Sequence, residues 1–195
     1  MKSDFELALE FTLKWEGGFV HHPRDLGGAT NYGITQRTYD EYRDEKKLPR
    51  QSVAQLTKEE AKEIYESRYW KFVAFVTRPE WRLFRIAAFD TAVNFGTSGF
   101  VWLWQRTLGI KADTLWGPVT AGTTRTRIQL QGELRAAIGL VCERIRYRGH
   151  VVYKDAGQKD FLNGWLNRDT DLIDYLLKLG CPLSSPQNND RESSK

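Results

Sequence analysis

Cysteine is scarce in this sequence: Cys142 and Cys181 are the only two in 195 residues, and they lack the close spacing of a metal or redox motif. That excludes a disulfide-stapled scaffold, and both read as unpaired thiols. Histidine is scarce too, with three. The adjacent pair His21-His22 has no Asp, Glu or Cys set at ligand spacing around it, and neighbours on an extended segment point to opposite faces. No metal and no cofactor is therefore expected. No window reaches the roughly 18 apolar residues of a membrane span, so stable membrane insertion is not expected. There is no run of five or more Lys or Arg, which argues against nucleic acid as the partner. Positive charge is nevertheless in excess, at 29 Lys and Arg against 25 Asp and Glu, for a formal +4 and a pI near 9.0. Spread along the chain, it favours an anionic surface such as a wall polymer. Met1-Lys2-Ser3-Asp4-Phe5-Glu6 is charged too early to be a secretory signal, so synthesis is expected to end in the cytoplasm unless another system exports the product.

What the chain does have is enough apolar sequence, 41%, for one good core or two small ones. Ser3-Asp4-Phe5-Glu6 is a capping box, and Phe5, Ala8, Leu9, Thr12 and Trp15 follow at helical spacing. This predicts a helix over about 4–16, ending at Gly17 in the left-handed conformation and carrying Glu16 on its apolar stripe. Residues 17–36 read as a β-hairpin or ribbon, and a short helix follows from Thr35. A second capping box, Thr57-Lys58-Glu59-Glu60, opens a helix to about Trp70. The joint Thr77-Arg78-Pro79-Glu80 divides a front lobe, 1–78, from a helical rear lobe, 79–180. In the rear lobe one helix is expected to close at Gly96 and another at Gly109. A long one is expected over about 126–148, and two short ones around Phe161 and Leu172 finish the lobe. The polar tail, 181–195, is expected to be disordered.

Chemistry concentrates between Trp15 and Gln36, which holds five of the sixteen glycines. Within it lie Glu16, Asp25 and Thr30, with eight and four residues between them. Cleaving a glycosidic bond needs an acid still protonated near neutral pH and a second carboxylate to activate water or stabilise an oxocarbenium-like transition state. A Glu on an apolar helix face suits the first role, because desolvation disfavours its charge; an Asp in a polar Gly-rich loop suits the second. Thr30 is placed to hold the attacking water.

The segment Glu16-Gly17-Gly18-Phe19 through Asp25-x-Gly27-Gly28-x-Thr30-Asn31-x-Gly33-Ile34-Thr35 resembles the signature of glycoside hydrolase family 108, N-acetylmuramidases of phage endolysins and related bacterial enzymes. The resemblance implies Glu16 as general acid, Asp25 as the base that positions water and Thr30 as its helper, as in phage-type lysozymes. The family usually has Asn-Asp where this chain has His21-His22. Asp90-Thr91-Ala92-Val93-Asn94-Phe95-Gly96, Gln105-Arg106-x-Leu108-Gly109, Asp113-Thr114-x-Trp116-Gly117-Pro118 and Phe161-Leu162-x-Gly164-Trp165-Leu166-Asn167-Arg168 are similar to the peptidoglycan-binding half that follows. Thr114 stands where that half usually has Gly in a tight turn.

The resemblance implies a mainly α, lysozyme-like fold and a monomer whose partner is bacterial peptidoglycan. The reaction implied is hydrolysis between N-acetylmuramic acid and N-acetylglucosamine, with inversion. It also implies action in the periplasm or wall after release by a holin or by export. A lytic transglycosylase, which needs one acid, and a non-catalytic wall-binding scaffold are the rival readings. Tyr32, Gln36, Trp70 and Asn94 are the substrate-contact candidates, each set against a packing or backbone-satisfying role.

Overall fold

The computed structural model describes residues 2–19 and 29–181. The capping box at Ser3 forms as the sequence predicts, with the Ser3 hydroxyl accepting from the Glu6 N–H while the Glu6 carboxylate accepts from the Ser3 N–H, and it opens α1, Asp4–Glu16. Gly17 ends α1 with φ 70 and ψ −171, on the positive-φ side that side chains resist, as expected, though its ψ lies outside the left-handed α region. After the undescribed stretch, β1 (Thr30–Asn31) pairs antiparallel with β2 (Ile34–Thr35), Thr30 opposite Thr35 and Asn31 opposite Ile34. Both turn residues have positive φ, Tyr32 at 51 and Gly33 at 72, the signature of a type I′ hairpin whose twist suits two-residue loops.

Thr35 caps α2, Gln36–Glu45, and Thr57 caps α3, Lys58–Tyr65, with its own capping box. The expected stop near Trp70 does not occur. A π-helical turn, Glu66–Trp70, carries the helix on into α4, Lys71–Val76. Then comes α5, Arg82–Leu108, interrupted at Gly96 where φ 75 and ψ 164 are not helical; the two helices read from the sequence meet there end to end.

Two other expectations need correcting. The single helix over 126–148 is two helices, α6 (Pro118–Gln131) and α7 (Glu133–Lys154), divided by Gly132 at φ 79. Leu130, which completed the apparent period, is 77% exposed and belongs to no core stripe. Conversely, the two short closing helices are one, α8, Lys159–Gly180. The polar run Asn167-Arg168-Asp169-Thr170-Asp171 has the composition of a linker, but it stays helical because Arg168, Asp169 and Asp171 each reach an opposite charge on a neighbouring helix.

The core is a continuous cluster from Phe5 to Leu176, with α5 through its middle: Ile86, Ala87, Ala88, Phe89 and Ala92 have no exposed surface. Phe5 and Trp70 pack on Phe89 from the front, and Leu140, Leu172 and Leu176 close the cluster from α7 and α8. Chain on both sides of residue 78 therefore shares one apolar interior. No helix among the described residues is long and apolar enough to cross a membrane. The tail from 182 onward lies outside the described residues.

Candidate active site

Glu16 sits on the last turn of α1, and α8 grips that turn. The Lys14 ammonium and the Trp15 indole N–H both reach Asp171 Oδ2, at 2.7 and 2.8 Å, and Arg168 Nη1 donates to Glu16 Oε1 at 2.7 Å. As its place on the apolar stripe implies, the Glu16 side chain is only 19% exposed. Its surroundings are not purely apolar, however, because a guanidinium holds one carboxylate oxygen.

The hairpin closes over the other oxygen. A Cβ at Gly33 would stand 2.4 Å from Glu16 Oε2 and 2.9 Å from the Tyr65 hydroxyl oxygen. Glycine is thus required twice at this position, by its φ of 72 and by the carboxylate against its Cα. Tyr65, on α3, donates its hydroxyl to the Tyr32 carbonyl at 2.7 Å and steadies the one non-glycine residue of the turn. Burial, and then the negative charge of Glu16, push the Tyr65 hydroxyl well above its ordinary range, so it remains a donor. Burial also raises the Tyr69 hydroxyl, against the pull of Arg68 and with a smaller push from Glu16; its ring lies 6.0 Å from that of Tyr65.

Behind Glu16 runs a chain of buried charges in alternating sign. Arg168 Nη2 donates to Asp90 Oδ1 at 2.6 Å, and Arg144 Nη1 to Asp90 Oδ2 at 2.8 Å. Arg144 also contacts Asp169, and Asp169 contacts Arg148, its Oδ2 lying 2.9 Å from Nε. The order is Glu16, Arg168, Asp90, Arg144, Asp169, Arg148. Each interior charge touches two of the opposite sign, the condition under which ions are tolerated without water. Burial alone would push the Asp90 carboxyl up, yet Arg144 and Arg168 together hold it below the ordinary carboxylate range. Burial opposes the charge of Arg168 as well, and Asp90 and Glu16 overcome it. At the far end, burial pulls Arg148 down to about 10.

The residues picked out in the sequence fall as follows. Thr30 is half-buried on β1, in the hairpin whose turn touches Glu16. Asp25 and the His21-His22 pair lie outside the described residues. Tyr32 is in the turn itself. Gln36 spends its amide on the fold, donating to Asp40 and to the Gln51 carbonyl and accepting from the Val53 N–H. Trp70 is 9% exposed and packs on Phe5 and Phe89 under the Arg85 guanidinium, at the opposite end of α1 from Glu16. Asn94 donates to the Asp90 carbonyl and accepts from Arg148 Nη2 at 3.4 Å, which places it on the buried charge chain.

Sequence reasoning missed Arg168 as the partner of Glu16, since 152 residues separate them. Tyr65 and the second constraint on Gly33 were missed for the same reason. No local pattern announces a contact made by tertiary folding.

Comparison with family models matches residues 9–96 to the family described as Glycosyl hydrolase 108. That segment holds the end of α1, the hairpin, α2 to α4 and α5 as far as Gly96; Arg168 lies beyond it. No curated protein matches the chain. Among solved structures, that of Brucella abortus SagA is similar at 29% identity and a TM-score of 0.66, over 89% of this chain and 93% of that one. The fold is mainly α and lysozyme-like, and residues 9–96, which match a glycosyl hydrolase family, carry Glu16 at the junction of helix, hairpin and guanidinium.

Proposed function

We propose that this protein is a peptidoglycan hydrolase that cleaves the β-1,4 bond between N-acetylmuramic acid and N-acetylglucosamine. Glu16 acts as general acid, Asp25 as the base that positions water, and Thr30 as its helper. One observation carries the reading: a single carboxylate at a helix end is fixed on one oxygen by Arg168 and enclosed on the other side by the hairpin turn at Gly33. Arg168 fixes the carboxyl through Oε1, and the reaction requires its acid proton to be delivered to the leaving sugar oxygen. As that proton passes to the leaving sugar oxygen, the carboxylate that appears already has its counter-charge in place. The contact therefore strengthens in the transition state and stabilises it more than the ground state.

Inversion is the expected outcome, with Asp25 holding water on the face of the sugar opposite Glu16, at the wider carboxylate separation of about 6.5–9.5 Å. The helices of 79–180 serve the same reaction, since α8 supplies Arg168, and they also meet the wall. Mass spectrometry of the soluble products from purified peptidoglycan tests the assignment. Reducing muramic acid ends support it. Anhydro-muramic ends would identify a lytic transglycosylase, and reducing glucosamine ends would move the cut to the other glycosidic bond.

A further inference from the structure

Along α8, residues 161, 165, 168 and 172 share one stripe, three or four apart. Its character changes along its length. Phe161 is 58% exposed, Trp165 is half-buried, Arg168 is 8% exposed against Glu16, and Leu172 is sealed in the core. The stripe thus begins as open aromatic surface and arrives at the candidate acid seven residues later, a rise of about 10 Å.

The two rings at its open end are held in place. Phe161 and Trp165 lie 6.0 Å apart, centre to centre, with their planes 24° from parallel. The Arg148 guanidinium stands 5.3 Å from the Trp165 ring. Arg148 is itself fixed by Asp169 and Asn94, and it is the last member of the charge chain that starts at Glu16. Trp165 is therefore tied to Glu16 by two routes, the helix stripe and the ion chain. An exposed Phe161 ring set near-parallel to the half-buried Trp165 ring suits the apolar C–H face of a pyranose, which stacks on an aromatic plane while its equatorial hydroxyls stay in water. Three of the four candidates picked from the sequence do not offer such a surface: Trp70 is buried at the other end of α1, and Gln36 and Asn94 are engaged by the protein; Tyr32, half-buried in the hairpin turn, stays beside Glu16.

We propose that Phe161 and Trp165 form a glycan-stacking platform on the stripe of α8 that leads to Glu16, and that it receives a sugar ring of the strand being cut. This rests on reading the protein as a peptidoglycan hydrolase. It places strand binding on the part of the chain beyond residue 96.

The test uses the full chain carrying Glu16→Gln, so that ligand survives, and peptide-free glycan strands prepared from peptidoglycan. Calorimetric titration compares this protein with versions that also carry Phe161→Ala, Trp165→Ala or both. The double change is expected to weaken binding on the order of tenfold, about 1.4 kcal/mol, and Trp165→Phe to recover part of the loss. With Glu16 restored, the damage should fall on KM more than on kcat. Unchanged affinity in Phe161→Ala and in the double variant would overturn the proposal. So would a fall in kcat at constant KM, which would make Trp165 a prop for Arg148 and not a sugar contact. Phe161 is more than half exposed, so its removal leaves a folded protein in which the question can still be answered. Failure of the wild-type protein to cleave peptidoglycan would sink the hydrolase reading alone, because the titration reads the platform without turnover.

Discussion

Gly33 has the least freedom of any residue at this site. Its φ is one that side chains resist, and the space where a Cβ would go is taken by Glu16 Oε2 and the Tyr65 hydroxyl. Gly33→Ala must move the hairpin or the carboxylate. We expect a loss of about 1–3 kcal/mol from backbone strain together with a fall in turnover larger than that loss explains, read from urea unfolding alongside peptidoglycan digestion. Normal activity in a destabilised Gly33→Ala protein would mean that the turn does not position Glu16. The sequence drew attention to this residue through its motif, but only as a hairpin glycine. The carboxylate against it is a tertiary fact, and so is the hold of Arg168 on Glu16, which joins α8 to α1 across the whole chain.

At the scale of elements, local signals served well where they were chemically specific. The capping boxes at Ser3 and Thr57 formed, and the glycine stops at residues 17, 96 and 109 fell where expected. Periodicity alone did less well. It fused α6 with α7 because Leu130 completed a pattern although it faces solvent, and it split α8 because the apolar spacing lapses at Arg168, Asp169 and Asp171, which instead pair with charges on α1 and α7. Hydropathy cannot distinguish a polar side chain in water from one in an ion pair. The turn at 113–115 shows a sequence departure absorbed by structure. Thr114 takes φ 68 in place of the glycine expected there, supported by the Gln105 side chain, which accepts from its N–H, and by Asp113, which accepts from the Leu115 N–H. A β-branched residue is strained in that conformation. Thr114→Gly should stabilise the protein by about 1 kcal/mol, the relief of strain exceeding the extra chain entropy of glycine. An unchanged or lower melting temperature would show that the turn holds Thr114 without cost.

At the scale of the molecule, the front and rear of the chain are joined twice, by an apolar core with α5 at its centre and by the charge chain from Glu16 to Arg148. Removing one member leaves a buried partner uncompensated, so Asp90→Asn should cost about 3–5 kcal/mol. It should also change the response to acid. Because the folded protein holds Asp90 below its unfolded value of 3.8, the protein gains stability from it above that pH and loses it as pH falls through and below 3.8. Urea midpoints measured from pH 6 down to pH 3 should fall more steeply for the wild type than for Asp90→Asn; parallel slopes would remove Asp90 from the acid response. All of this machinery converges on one carboxylate. The most direct measurement is therefore the turnover of purified peptidoglycan by Glu16→Gln, whose amide keeps the shape of the carboxyl but cannot donate an acid proton. A loss of about 10²–10⁴-fold in kcat with the fold intact is expected, and a Glu16→Gln protein that kept turnover within a few-fold of wild type would rule Glu16 out as the general acid.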